Sequence, residues 1–305
     1  MKNHSNKHFL GIDIGGTAAK CAIISDEGEI VSRSAFDTGI AVSKEKFISS
    51  IYHVVDDAIA KKVGGIGICS LGIVNSKTGQ IIGAVENMPY LYNMNIRDLI
   101  LSRYPEIPVF VSNDVKSVAR GEQWMGAAKG CRNFFCVALG TGVGAVIVID
   151  SKVIEGVHYR AGEVCYMNYK SPHDYLEKYI STKHVMDIAA VELGVAEIDG
   201  FKFFQLVREG VPIAMKILNE WICKIARFVA NLIVILDVEK VIIGGGISSE
   251  KNILIPRIAE AVEQMLPAAF RGETIIEGAK CANDAGVLGA VSMLAMGSNI
   301  LGDVN

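Results

Sequence analysis

Apolar positions follow two periods along this chain, and the period changes often. Residues 9–14 and 19–24 are short apolar runs, and Ser25-Asp26-Glu27-Gly28 is a turn leading to another strand near 29–34. Apolar runs of strand length bounded by turn residues predict β-strands, here a three-strand meander. Phe47, Ile48, Ile51, Val54, Val55 and Ile59 then fall on one helical face, and Ile66-Gly67-Ile68-Cys69 returns to strand. Residues 107–112 read as another strand, ending at Asn113-Asp114 with a helix after it. Later come helical patterns near 212–236, 252–266 and 284–296, with a strand at 240–243 and a glycine run at 244–246. Alternating strands and helices predict an α/β fold.

The second half repeats the first. FFCVALGTGVGAVIVID (134–150) lies over FLGIDIGGTAAKCAIISD (9–26) with little adjustment: apolar strand, glycine-threonine turn, apolar strand, aspartate. The copies are far enough apart for each to anchor its own lobe rather than one unit of a solenoid. The expected organisation is a small α/β lobe of residues 1–116 plus 286–305 and a large α/β lobe of residues 117–285. The chain crosses between them just after Asp114, and an interlobe cleft separates them.

Turns of Gly-Gly-Thr or Gly-Thr-Gly let backbone N–H groups approach a ligand closely, because no Cβ stands in the way. Such clusters suit phosphate oxygens, although one such turn alone could be an ordinary hairpin. Residues 140–145 also fit the G-x-G-x-x-A form of a dinucleotide fingerprint. That fingerprint must open a helix, whereas the β-branched run Val146-Ile147-Val148-Ile149 follows here and favours a strand.

Composition narrows the partners. Of the 305 residues half are hydrophobic and 21% charged, which gives ample core, and the net charge of −3 carries no basic signature. Nucleic acid and anionic membrane surfaces are therefore poor candidates, and a small molecule is the better one. The polar MKNHSNKH start and the lack of any run of about 18 apolar residues point to a cytoplasmic protein. Seven scattered cysteines read as reduced, buried thiols.

GIDIGGT, LGTGVGA and IIGGG together resemble the ROK family of sugar kinases, within the actin-like, ribonuclease-H-like ATPase superfamily, over nearly the whole chain. The resemblance implies a two-lobed fold whose loops Gly15-Gly16-Thr17 and Gly140-Thr141-Gly142-Val143-Gly144 hold the ATP phosphates from opposite lobes. Gly244 and Gly245 would form the adenosine-side turn. Asp13 would orient Mg²⁺ through water, in keeping with that ion's retained hydration shell. Lys20 either reaches phosphate or lies on a solvated strand face.

Asn113-Asp114-Val115 through Gly121-Glu122 resembles the family's N-D-V-x-x-x-A-x-G-E stretch, which implies Asp114 as general base, with Asn113 and Asp114 facing the sugar; both could also serve as helix caps. Glu86-Asn87-Met88-Pro89, Ala161-Gly162-Glu163 and Leu176-Glu177 resemble sugar-side motifs and nominate Asn87, Glu163 and Glu177.

Two departures stand out. Val164-Cys165-Tyr166-Met167 replaces the usual histidine, and residues 168–177 lack the zinc-binding cysteines, so no structural zinc is expected. Tyr166 would take the histidine's sugar-facing place, as in a zinc-free branch that includes β-glucoside kinases. Leu71 stands where a proline is usual.

The resulting expectation is an ATP- and Mg²⁺-dependent kinase that transfers the γ-phosphate to a sugar hydroxyl, C6 of glucose or of a β-glucoside, and forms a homodimer. N-acetylmannosamine kinase and fructokinase are the alternatives. A sugar-responsive ROK repressor would need a helix-turn-helix ahead of the core, and only about eight residues precede the first strand.

Overall fold

The computed structural model describes residues 7–83, 88–246 and 250–297. They form two compact units. The first comprises the described residues up to Lys129, Glu155–Arg160 and those from Asn283 onward; the second comprises Gly130–Ile154 and Ala161–Ala282.

The first unit is built on strands β1 (His8–Ile14), β2 (Ala18–Ser25), β3 (Ile30–Asp37), β4 (Ile66–Ser70), β5 (Ile73–Asn75), β6 (Gln80–Gly83) and β7 (Val109–Asn113). Its helices are α1 (Lys44–Ala60), α2 (Ile96–Leu101) and α3 (Asp114–Met125). The five-stranded sheet has the order β3-β2-β1-β4-β7, antiparallel through the meander and parallel from β1 to β4 to β7. Ser43 caps α1 by accepting from Lys46 N, and the buried face of that helix is Phe47, Ile51, Val55 and Ala58, close to the predicted stripe.

The second unit holds β8 (Phe134–Leu139), β9 (Val143–Ile149), β10 (Lys152–Val153), β11 (Lys240–Gly245) and β12 (Ile275–Gly278). Its helices are α4 (Glu177–Ile180), α5 (Thr182–Leu193), α6 (Gly200–Arg208), α7 (Pro212–Leu236) and α8 (Lys251–Met265). The sheet order β10-β9-β8-β11-β12 repeats that of the first unit, with the same antiparallel meander and the same parallel pair. The duplication read in the sequence is thus a duplication of topology. The core is the buried face of α7, where Trp221 donates Nε1–H to Ile180 O at 2.9 Å, so its one polar atom is satisfied.

The last helix, α9 (Ala285–Ala295), returns to the first unit and is apolar almost all round, as a core helix must be. It lies very close to its neighbours because glycines leave no side chain in the way. A Cβ on Gly289 would stand 1.6 Å from Ser117 O on α3, and one on Gly121 of α3 would stand 2.3 Å from Ala285 O. On the sheet side, a Cβ on Gly67 of β4 would meet Ala290 O at 2.1 Å, and one on Gly11 of β1 would meet Val287 O at 2.9 Å.

This packing moves the unit boundary. The sequence places the end of the first lobe at residue 116, whereas α3 is pinned against α9 and the first unit runs on to Lys129. At the C-terminal end the two divisions nearly coincide, at 286 in the sequence reading and Asn283 in the structure. The expectation of seven buried thiols also changes: Cys21, Cys69 and Cys136 are buried, Cys131, Cys165 and Cys281 are half-buried, and Cys223 is exposed on α7.

The α9 seam yields the first prediction. Gly289→Ala forces backbone apart and should destabilise by at least about 1–3 kcal/mol, the usual range for overpacking. Gly200→Ala, at the start of α6 with open space around it, should stay within roughly 0.5 kcal/mol of wild type. Thermal unfolding of the two variants side by side checks this.

Candidate active site

The site residues of the first unit gather where β1, β4 and β7 end. The hairpin turn Gly15-Gly16-Thr17 joins β1 to β2, closed by Gly15 N to Ala18 O at 3.2 Å. A second segment buttresses it: Thr38 Oγ1 donates to Gly15 O at 2.6 Å and Thr38 N to Thr17 O at 2.9 Å. Gly39, at φ +100°, lies so close that a Cβ there would stand 2.7 Å from Gly16 O. The turn is therefore held from behind while Gly16 and Thr17 remain exposed, as a backbone cradle for an anion requires.

Asp13 is the residue before last on β1 and is half-buried. Its Oδ1 accepts from the Cys69 thiol at 3.3 Å, its register partner on β4. Gly286 of α9 completes the enclosure, since a Cβ there would stand 2.7 Å from Asp13 Oδ2. Lys20 is the register partner of Asp13 on β2 and is exposed. Burial raises the Asp13 pKa, and the thiol hydrogen bond and the Lys20 charge only partly oppose it. Cys69 is wholly buried, and its own pKa is pushed well up by burial and then by the charges of Asp13 and Asp114. One thiol thus lies within the field of both carboxylates.

Asp114 opens α3. Asn113 caps the helix through Oδ1, which accepts from Lys116 N at 3.1 Å, and its Nδ2 donates to Gly72 O at 2.9 Å and to Asp114 Oδ1 at 2.7 Å. Val115 N also donates to Asp114 Oδ1, at 2.9 Å. Asn113 thus caps α3 through its oxygen and holds the Asp114 carboxylate through its Nδ2. Asn87 lies outside the described residues.

In the second unit the turn Gly140-Thr141-Gly142 joins β8 to β9, with Gly140 N donating to Gly142 O at 3.0 Å. Gly144 belongs not to this turn but to β9, paired with Ala138, because the hairpin closes tightly. Gly244 and Gly245 likewise form the end of β11 rather than a turn after it, opposite Ala138 and Leu139. Gly245 has φ +96°, and a Cβ there would stand 2.3 Å from Leu139 O.

Glu177, expected on the sugar side, lies against the glycine turn: its Oε2 accepts from Val143 N at 3.2 Å, in space that only a glycine at 142 leaves open. Glu163 is exposed, with the Cys165 thiol 3.8 Å from its Oε2. Burial and then the charges of Glu163 and Glu177 push that thiol up to about 12, so both carboxylates act on one point. Gly162, at φ +93° and pressed on Ala145 O, fixes this loop to β9. Tyr166 is 61% exposed, its ring edge-on to Tyr175 at 5.6 Å.

Among the described residues no group of three or more His, Cys, Asp or Glu is placed to hold a metal ion. His173 instead pairs Nδ1 with the Tyr175 hydroxyl at 3.2 Å. A lone half-buried carboxylate fits a cation that takes its remaining ligands from phosphate and water, as Mg²⁺ does. Sequence reasoning missed the charges behind Asp114. Lys116, Arg120 and Glu122 are buried on α3, and the visible signal was charged residues four apart on a helix following Asn-Asp.

The family model described as the ROK family matches residues 9–296. A β-glucoside kinase from Listeria innocua is 29% identical over 293 residues, covering 93% of this chain and 96% of its own. A ROK family glucokinase from Streptomyces griseus, solved in complex with glucose and AMPPNP, superposes with a TM-score of 0.77 at 25% identity, over 95% of this chain and 100% of that one. A xylose repressor from Caldicellulosiruptor bescii is 25% identical, covering 94% of this chain and 77% of its own.

The raised Asp13 pKa has a stability consequence. The folded state holds this proton more tightly than the unfolded chain does, so stability falls as pH rises from the ordinary carboxylate range through the raised value. At neutral pH, without nucleotide or metal, Asp13→Asn should melt higher than wild type. The difference should shrink as pH falls towards about 4. Calorimetry at two pH values reads this, and a lower melting temperature for the variant at neutral pH would contradict it.

Proposed function

The chain belongs to the ROK family, and from that membership we propose that it is an ATP-dependent sugar kinase with Asp114 as its general base. The observation that carries this reading is Asp114 Oδ1, held by Asn113 Nδ2 at 2.7 Å and Val115 N at 2.9 Å at the start of α3. A carboxylate fixed in this way can accept a hydroxyl proton without reorganising first. In the reaction the sugar oxygen bonds to the γ-phosphorus as its proton passes to Asp114, and the bond to the bridging oxygen breaks with its electron pair leaving on ADP.

Phosphoryl transfer asks the protein mainly for alignment and charge stabilisation. The turns at Gly15-Gly16-Thr17 and Gly140-Thr141-Gly142 offer backbone N–H groups for phosphate oxygens, and Lys20 adds a cation. Asp13 would hold Mg²⁺ through water, and the ion when bound neutralises charge on the phosphoryl oxygens. Glu163 and Tyr166 supply acceptors and a donor for sugar hydroxyls, which a polar substrate needs because each buried unpaired group costs about 1–3 kcal/mol. The preferred acceptor is the C6 hydroxyl of glucose or of a β-glucoside, the substrates that the relatives' names point to.

A coupled ADP-release screen over glucose, cellobiose, gentiobiose, N-acetylmannosamine, N-acetylglucosamine, fructose and mannose tests the class. Sugar-dependent ADP release, greatest with glucose or a β-glucoside, is expected; fast ATP hydrolysis that no sugar accelerates would refute it. Asp114→Asn should fold normally and lose turnover on the order of 10²- to 10⁴-fold, and near-normal turnover would remove Asp114 from the role.

A further inference from the structure

A partly buried chain of charges and hydroxyls lies behind Asp114 in the first unit. Arg120 of α3 donates Nη1–H to Ser112 Oγ at 2.7 Å and Nη2–H to Glu155 Oε1 at 3.2 Å, and its guanidinium lies over the Phe110 ring at 5.3 Å. The other Glu155 oxygen accepts from the Ser76 hydroxyl. Ser76 is itself fixed, since its carbonyl accepts from Arg97 Nη2 at 2.8 Å. The side chains of Arg120 and Glu155 are only 10% and 18% exposed. One helical turn before Arg120, the buried Lys116 donates Nζ–H to Tyr159 O at 2.8 Å.

The position of Glu155 gives this chain its meaning. Glu155–Arg160 is a short strap that belongs to the first unit although the sequence on both sides of it belongs to the second. It is clamped at both ends to α3, by Arg120 at Glu155 and by Lys116 at Tyr159. The strap leads covalently into Ala161-Gly162-Glu163. Through Ser76 the same carboxylate holds the end of the β5 segment, whose beginning at Gly72 receives Asn113 Nδ2. Three stretches on the acceptor side of the proposed reaction are therefore tied to one carboxylate: α3 through Arg120, the Gly72–Ser76 stretch through the Ser76 hydroxyl, and the strap that carries Glu155 itself. Neither glycine turn bonds to it.

We propose that Glu155 is a positioning residue for the sugar acceptor, acting through Arg120, Ser76 and the strap without itself touching substrate. This inference rests on the kinase reading. Removing one member of a buried ion pair leaves the other charged and unpaired, so Arg120 would seek a new partner and the three stretches would lose their common anchor. The nucleotide side should not register the change.

Steady-state kinetics of Glu155→Gln test it, with glucose and cellobiose as acceptors. The KM for the sugar should rise about tenfold while the KM for ATP stays within about twofold, and Glu155→Asp, which keeps the charge, should lie nearer to wild type. Val55→Ala, which removes buried methyl groups from α1, controls for lost stability and should move neither KM. If Glu155→Gln lowers the melting temperature but leaves the sugar KM unchanged, or raises both KM values alike, the role is structural only and the proposal fails. A Glu155→Asp variant more impaired than Glu155→Gln would also overturn it. A wild-type protein that releases no ADP with any sugar in the screen would defeat the kinase reading itself, before any variant is made.

Discussion

The backbone contact of α9 with its surroundings is the constraint from which the first unit follows. Carbonyls of α9 sit where side chains would be on Gly11 of β1, Gly67 of β4 and Gly121 of α3, and the carbonyl of Ser117 sits where one would be on Gly289. Interiors pack at near-crystalline density, so a single added methyl at these points must displace backbone. The consequence is positional: with α9 seated, Gly286 presses on Asp13 and Cys69, and α3 is fixed at the ends of β4 and β7 with Asp114 in its first turn. A helix with almost no polar side chains thereby determines where two carboxylates stand.

Those carboxylates are held in different ways. Asp114 lies at a helix N-terminus with its Oδ1 hydrogen-bonded from two sides, which fixes its position. Asp13 is held by one thiol donor and by burial, and burial disfavours the charge. The first suits a group that accepts a proton from a hydroxyl, and the second suits one that gains by receiving a cation.

Much of this was legible in the sequence for definite reasons. The duplicated meander could be read because both copies keep the same order of strand, glycine turn and strand, and because strong periodicity survives at α1 and α7. The α4–α6 region was not assigned, although Ser181 and Asp199 cap α5 and α6 and Gly194 ends α5 at φ +68°; short helices offer few turns over which a period can show. The end of the first unit at Lys129 is not legible because nothing local to residues 117–129 reveals that they pack on a helix nearly 170 residues later. The polar chain through Glu155 was invisible for the same reason: it is made of contacts distant in sequence. Gly144, Gly244 and Gly245 look like turn residues in the sequence because a glycine-rich string looks alike whether it makes a turn or permits two strands to end in close contact.

The central claim is that Asp13 faces the nucleotide's metal while Asp114 faces the acceptor hydroxyl. A crystal structure with Mn²⁺, a non-hydrolysable ATP analogue and glucose measures this most directly, since the manganese anomalous signal locates the ion independently of the protein phases. The account predicts the ion within one bridging water of the Asp13 carboxylate, and a sugar hydroxyl within about 3 Å of Asp114. An ion and nucleotide bound away from the Gly15-Gly16-Thr17 turn, or a sugar seated with no hydroxyl near Asp114, would contradict it.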